Sequence, residues 1–436
     1  MPNAPCLMPH ALFKSYFQDK FMAIKVLEIE FTEEINPIRG LERYEKVGIL
    51  VRYRGQPIGW AYVDNNPWQQ TISADRVRQT IVEQMGKELM RASLAEQLAP
   101  VAADFDRELP PISVVICTRA RTDLLKNALE AILALDYPNR EIIVIDNAPA
   151  NSSTAELVAG LPVRYVREER PGLNWARNRA IAEASHEIIA FIDPDMRPDR
   201  GWLRGIAAGF ADPEIMAVSG LVAPAELETE AQIQFEFGYG GIVQYLHRFK
   251  VEGSKLSVRE LLWAKYYGVG ANMAFRVQVF EAVGNFDPAL DVGAATRGAG
   301  DIEMFHRILA KGYATFYEPR ALVWKVHRRS GNALSQQLRD NGQSFGAYLL
   351  TCDRNRTVPR LEILKFAIFN WLGWWLLRRL GAPGWLPRKL VVSELLGALD
   401  SPFAYRKAQL QAQQLAEIEP EQQLQSEPQQ VAGGVR

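Results

Sequence analysis

Between Ile112 and about Ser219 the chain alternates short, uninterrupted apolar runs with helical patterns. The runs are ISVVIC, EIIVID, VRYVR, IIAFID and IMAVS. ISVVIC has no polar alternation, as expected of a strand buried on both faces. TDLLKNALEAILALD carries Leu125, Leu129, Ile132 and Leu133 at helical spacing, and LNWARNRAIAEA sits between two of the runs. Strand, helix, strand in repetition predicts an α/β fold: a Rossmann-like, mostly parallel sheet with helices on both faces. Ligand sites in such sheets lie at the carboxyl ends of the strands. The residues best suited to chemistry in this chain fall at those ends.

The flanks have a different texture. AIKVLEIEF reads as a strand, and VGILVRYRGQPIGWAYV reads as two strands turning near Arg54-Gly55. A helical pattern runs from about Ser73 to Leu94, and VAADFDRELPP closes the unit as a linker. Residues 1–108 are therefore expected to form a small α+β N-terminal unit, and 109–330 the main α/β domain. Residues 331–405 read as a helical C-terminal extension containing FAIFNWLGWWLLRRL. From about Lys407, and over 406–436 as a whole, the chain is rich in Gln and Glu and is expected to end in disorder.

Charge and cysteine usage bound the partners. The net charge is −1, which gives no general electrostatic grip on nucleic acid. The three cysteines, Cys6, Cys117 and Cys352, lie far apart without a CxxC pair, which fits a reducing compartment. MPNAPCLMPHALFKSYFQDKF lacks the apolar core of a signal peptide, and no stretch of about 18 uncharged apolar residues appears. The expectation is a cytoplasmic protein, peripheral at the inner face of the cytoplasmic membrane. The membrane contact would run through residues 361–390. There Trp371, Trp374, Trp375 and Trp385 supply apolar bulk, and Arg378, Arg379, Arg388 and Lys389 supply charge for anionic head groups. A helix buried against the main domain, or an oligomer contact, is the competing reading.

Four strand or helix ends carry candidate chemistry. EIIVID ends in Asp146, which can accept hydrogen bonds from a base or ribose or simply start a turn. IIAFI is followed by Asp193-Pro194-Asp195, two carboxylates one residue apart, an oxygen-rich site of the kind Mg²⁺ or Mn²⁺ takes. Asp301 opens the helical pattern DIEMFHRIL after a glycine-rich loop, where it could be an N-cap, a residue facing a cleft, or both. His327 follows the short strand ALVWKV beside Arg328 and Arg329, a setting for a metal or phosphate role. Cys117, inside an apolar strand with no His beside it in sequence, is a poor nucleophile.

Taken in order, ISVVICTRART, EIIVIDNA, RPGLNWARNRAI, IIAFIDPDM, GVGANMAF and GDIEMFHRI closely resemble the family 2 glycosyltransferases of the GT-A fold. The resemblance covers about residues 111–330. It implies an inverting transfer of a sugar from a nucleoside-diphosphate donor, a UDP-sugar being favoured, to a hydroxyl of a glycan or lipid-linked acceptor. It further implies that Thr118, Arg119 and Asp146 meet the nucleotide and that Gly172, Arg177 and Asn178 line the ribose and diphosphate. Asp193 and Asp195 match the metal-binding DxD, with His327 a candidate third ligand for Mn²⁺ or Mg²⁺. Asn272 lies in the loop shaping the sugar pocket, and Asp301 matches the catalytic base. The chain departs from the family pattern at Gly300, where many members carry Glu, and at Lys325, where some carry a second His. Two rivals remain: a nucleotide-sugar-binding module without catalysis, which would have no use for Asp301, and a nucleotidyltransferase, which would open with a glycine-rich loop that CTRARTDLL lacks.

Overall fold

The computed structural model describes residues 23–65, 69–98, 109–242, 245–381 and 386–417. Cys6, Trp385, most of the linker and the last part of the Gln-rich tail lie outside the described residues.

The main sheet is built as the apolar runs predict. Strands β6 (Ile112–Thr118), β7 (Arg140–Asn147), β8 (Arg164–Glu168) and β9 (Ile188–Ile192) run parallel, β6 lying between β7 and β9. Successive residues of β6 feed opposite layers. Ile112, Val114 and Ile116 pack with helix α2 (Thr122–Leu133) and helix α4 (Trp202–Gly209). Val115 and Cys117 pack with helix α3 (Leu173–Glu183) and helix α5 (Gly300–Ala310).

Beyond β9 the sheet changes character. GVGANMAF was expected as a loop, but its second half is strand β13 (Asn272–Arg276), antiparallel to both β9 and β11 (Ile215–Pro224). Strand β14 (Ala314–Lys325) runs parallel to β11, with β10 (Met196–Pro198) and β12 (Phe249–Glu252) antiparallel to it. The sheet is mostly parallel in its first half and mixed in its second. Five residues give a strand little local signature; β13 forms because β9 and β11 offer it their edges.

The N-terminal unit is a sheet with β3 (Lys46–Tyr53) flanked by parallel β1 (Ile24–Glu30) and antiparallel β4 (Gln56–Asp64). The hairpin turns at Arg54-Gly55, both with positive φ (49° and 75°), the conformation a two-residue loop needs to match strand twist. A short ribbon, β2 (Ile38–Arg39) with β5 (Thr71–Ile72), and helix α1 (Ala74–Leu98) complete it. The sheet's other side lies on the main domain: Leu50 packs with Leu221, Ala223, Leu322 and Trp324. Arg52 pairs with Asp199 at 2.6 Å and Glu28 at 2.8 Å.

At the other end, helix α6 (Gly331–Arg354) and helix α7 (Arg388–Ala416) cross closely. Gly342 sits against the Glu394 carbonyl and Gly397 against the Arg339 carbonyl, where any side chain would collide with backbone. Helix α7 stays helical to Ala416, past Lys407, where composition alone placed the start of the tail. Among the described residues no helix is long and apolar enough to cross a membrane.

His306 on α5 pins that layer of the main domain to the C-terminal helices. Its Nε2 pairs with Thr357 Oγ1 at 2.8 Å and its Nδ1 with the Tyr348 hydroxyl at 2.8 Å. Burial pulls its pKa down from 6.5 to about 4. A depressed pKa means the folded state resists protonation, so the stability from neutral His306 is complete above pH 6.5 and fades as pH falls toward 4. We expect the urea midpoint to drop over that window, and the same titrations on His306→Gln to show a flatter pH dependence; identical slopes would show that other groups carry the acid sensitivity.

Candidate active site

The carboxyl ends of β6, β7 and β9 open on one side of the sheet, and most of the expected site residues gather there. Thr118 and Asp146 are paired across β6 and β7. Both are buried, at 3% and 1% exposure, yet each keeps a polar atom without a partner in the structure: Thr118 Oγ1 and Asp146 Oδ1. The other Asp146 oxygen accepts the Tyr165 hydroxyl at 2.9 Å. Burial, then that hydrogen bond, push the Tyr165 phenol up to about 12, so it stays a donor. Arg119 is exposed, one residue before a positive-φ turn at Ala120.

Gly172 begins α3 with φ 146°, and a side chain there would press on the Asp291 carboxylate. Asp291 explains the contact. Its carboxylate accepts the backbone N–H of Leu173 at 2.8 Å, of Gly293 at 2.6 Å, and of Asn174. It therefore satisfies the open N-terminus of α3 from 118 residues away, a cap supplied by a remote loop. Asn147 adds a second tether, its Oδ1 accepting the Gly172 N–H at 2.8 Å.

Helix α3 aims Arg177 inward. The guanidinium is 5% exposed, donates to Asn174 Oδ1 at 3.1 Å and lies 5.3 Å from the Phe286 ring centroid. A side chain at Gly270 would come within 2.9 Å of both Arg177 Nη2 and Asp301 Oδ2, so this glycine marks where cation and carboxylate approach each other. Asp301 Oδ2 accepts the Gly270 N–H at 2.5 Å. Asp301 is not the N-cap: that position is Ala299, in the left-handed region at φ 76°, and Asp301 stands in the first turn of α5.

Asp193 and Asp195 follow β9 in the turn before β10. Burial raises the Asp193 pKa, Asp195 and Asp301 raise it further, and Lys325 and Arg177 oppose them. That balance places three carboxylates and two cations within electrostatic reach of one another. Asp195 Oδ2 pairs with Lys325 Nζ at 2.9 Å, while its Oδ1 is buried without a partner.

Three expected side chains are spent elsewhere. Asn272 is 1% exposed; its Oδ1 accepts from Trp202 Nε1 at 2.9 Å and its Nδ2 donates to the carbonyls of Ala321 at 2.7 Å and Leu221 at 3.1 Å. It fastens β13 to β11, β14 and α4, with both amide hydrogens used. Asn178 exchanges two hydrogen bonds with the Phe286 backbone, both at 2.9 Å, and braces the loop after β13. His327, 4% exposed, pairs its Nε2 with Glu236 Oε2 at 3.0 Å and sits edge-on to Phe235. Among the described residues no group of three His, Cys, Asp or Glu is placed to hold a metal ion.

Gly300 has a spatial cause: a Cβ there would strike Asn174 Nδ2 and lie 2.7 Å from the Leu290 carbonyl. The Glu found here in many relatives has no room. Cys117 is buried and its thiol is pushed up to about 12, which removes it as a nucleophile.

The geometry agrees with the comparisons. Residues 113–284 match the family model described as glycosyl transferase family 2. This segment belongs to glycosyltransferase family 2. The matched segment contains Thr118, Arg119, Asp146, Gly172, Arg177, Asn178, Asp193, Asp195 and Asn272, whereas Asp291, Asp301, Lys325 and His327 lie after it. Glycosyltransferase AglE of Haloferax volcanii is 24% identical over 239 residues, 53% of this chain and 72% of its own. A pre-mycofactocin glycosyltransferase of Mycobacterium tuberculosis is 25% identical over 258 residues, 58% of this chain. The chain spans half the length of that relative, 50%. Among solved structures, a mannosyltransferase from Pyrobaculum calidifontis in complex with GDP-Man and Mn²⁺ covers 77% of this chain and 85% of its own, with TM-score 0.44 and 18% identity.

Asp291, Asn147 and Asn174 escaped the sequence reading. The available signal was an Asp directly before a glycine-containing loop, DVGAATRG, which reads as an ordinary turn until α3 is seen to lie against it. Replacing Asp291 with Ala strands buried N–H groups, so it should cost about 2–3 kcal/mol and weaken donor binding as α3 and the loop separate. Denaturant titration checks the first expectation and nucleotide binding the second; unchanged stability would mean solvent replaces the cap.

Proposed function

We propose that the protein is an inverting, divalent-metal-dependent glycosyltransferase that uses a nucleoside-diphosphate sugar, preferably a UDP-sugar, and transfers to a hydroxyl of a glycan or lipid-linked acceptor. The observation that carries this reading is that Asp193 and Asp195, in the turn between β9 and β10, share the strand ends with Arg177 and Asp301, whose Nη2 and Oδ2 both border Gly270.

Asp146 and Thr118 are read as the base contacts, because each keeps a buried polar atom unpaired. One oxygen of Asp146 is already taken by Tyr165, leaving one acceptor. The uracil imide offers one N–H at its edge, whereas guanine offers two adjacent donors, so the single free oxygen favours UDP. Arg119 stands exposed beyond the base and is free to reach toward a phosphate or ribose.

The residues present fit a hard divalent cation. Asp195 Oδ1 is a buried carboxylate oxygen with no partner, beside a second carboxylate that burial and like charge press toward protonation. Asp193 and Asp195 would hold the ion together with the donor's diphosphate, without His327. The bound ion supplies Lewis-acid stabilisation of the charge that grows on the departing diphosphate. Arg177 adds a fixed positive charge at the same place, held by Asn174 so that it needs no reorganisation. Asp301, fixed by the Gly270 N–H, receives the proton of the attacking acceptor hydroxyl. A single base acting opposite the leaving group gives one displacement and an inverted anomeric centre.

The acceptor reading draws on the Trp-rich segment. A π-helical stretch (Phe366–Leu377) buries Phe366, Trp371 and Leu376 in the C-terminal core. Phe369 is 70% exposed, and Ile368, Trp374 and Leu377 are also open to solvent near exposed Lys365 and Arg378. The outward face suits the interface of an anionic membrane, where a lipid-linked acceptor would meet the site.

Three measurements test these points. A hydrolysis panel over UDP-, GDP- and dTDP-sugars with Mn²⁺ or Mg²⁺ should show turnover that excess chelator abolishes. Asp301→Asn should lower kcat about 10²–10⁴-fold while donor affinity holds; normal turnover would remove Asp301 as the base, and a retained anomeric configuration would refute the single displacement. Replacing Phe369, Trp374 and Leu377 by Ser should abolish flotation with anionic liposomes at low salt without unfolding the protein, since none of the three is in the core. Wild-type protein that never floats would sink the membrane reading.

A further inference from the structure

Lys325 is the last residue of β14, and its backbone partner in the ladder is Met196, the residue after Asp195. The register therefore delivers an ammonium to the Asp195 carboxylate: Nζ lies 2.9 Å from Oδ2, with the two side chains 19% and 28% exposed. The position is occupied by a cation before any metal arrives. Lys325 and Arg177 are the two positive groups opposing the negative charge around Asp193. Arg177 is fixed by Asn174 and cannot follow an incoming ligand. Lys325 has a flexible four-carbon stem and a single point charge, so it can move.

We propose that Lys325 is a resident counter-ion that guards the Asp193–Asp195 pair and couples metal binding to donor binding. A divalent ion alone must displace the ammonium from Asp195, which breaks a half-buried ion pair and leaves Lys325 without its partner. When the donor diphosphate enters with the ion, the displaced ammonium gains a phosphate oxygen and nothing is left uncompensated. Metal without nucleotide is then disfavoured, and by thermodynamic reciprocity nucleotide tightens metal as much as metal tightens nucleotide. Lys325 acts on the metal through Asp195 and on the donor directly, so it sets the order in which the site fills. The inference rests on the reading of Asp193 and Asp195 as the cation site.

The test is a titration of the full-length protein with Mn²⁺, following free Mn²⁺ by electron paramagnetic resonance, with and without UDP or GDP. Wild type should bind Mn²⁺ weakly alone and more tightly with nucleotide. Lys325→Gln and Lys325→Met, which are one atom shorter and remove the charge, should tighten Mn²⁺ binding without nucleotide by about tenfold and shrink the effect of nucleotide. Lys325→Arg, which keeps the charge, should stay near wild type. If Lys325 only ties β14 to the Asp195 turn, the Gln and Met variants lose thermal stability and leave Mn²⁺ affinity unchanged, which overturns the proposal. If no protein binds Mn²⁺ even with nucleotide, the cation reading of the Asp pair falls and this inference falls with it.

Discussion

Three carboxylates brought to one end of a sheet repel one another, and the architecture around them is arranged to oppose that repulsion. Asp193 registers the strain directly, since burial and its two acidic neighbours all raise its pKa. Two cations answer it from different elements. Arg177 comes from α3, whose N-terminus is held by Asp291 and whose inward turn is held by Asn174. Lys325 comes from β14, whose register with β10 fixes where the ammonium falls. Asp301 is steadied by a backbone N–H rather than by a cation. Each of these supports belongs to a different stretch of chain, so the site exists only when the mixed half of the sheet has closed around it.

That dependence explains which features were legible in the sequence. Asp146, Asp193 and Asp195 end strands that announce themselves as apolar runs, and their place at the strand ends follows from the parallel topology. Asp301 was legible through the helix it opens, although the cap belongs to Ala299. Asn272, Asn178 and His327 sit beside equally good motifs and are turned the other way. A polar side chain near a sheet end can serve a ligand or satisfy backbone, and which it does depends on distant partners: Trp202 and Ala321 for Asn272, Phe286 for Asn178, Glu236 for His327. None of those pairings has a local signature. Asp291 is the converse case, a loop residue whose importance comes wholly from a helix start 118 positions earlier.

The glycines carry the same lesson in steric form. Gly270 and Gly300 stand where the sheet, α3 and α5 meet, and both positions exclude a side chain because functional atoms already fill the space. The loss of the Glu expected at 300 is thus tied to the presence of Asn174, whose amide occupies that volume and also holds Arg177. The volume a side chain at position 300 would need is taken by an amide that also holds a guanidinium.

The Trp-rich segment resolves by face rather than by choice between its two readings. Inward, Trp371 packs on Phe345 at 5.0 Å between ring centroids, and Trp375 donates to Glu394 at 3.0 Å. Trp375 also lies under two cations, Lys265 at 3.7 Å and Arg379 at 3.6 Å from its ring centroid. Burial pulls Lys265 down to about 7 and raises the Glu394 pKa, and each shift is opposed by the other group's charge. Tyr239 joins the cluster to the sheet: it stacks on Phe235, which in turn meets His327. A continuous line of rings therefore connects the end of β14 to the C-terminal helices. Outward, the same helix turns Phe369, Trp374 and Leu377 to solvent. A helix fixed so firmly on one face keeps its other face rigid, so the exposed rings stay at a constant position relative to the rest of the molecule.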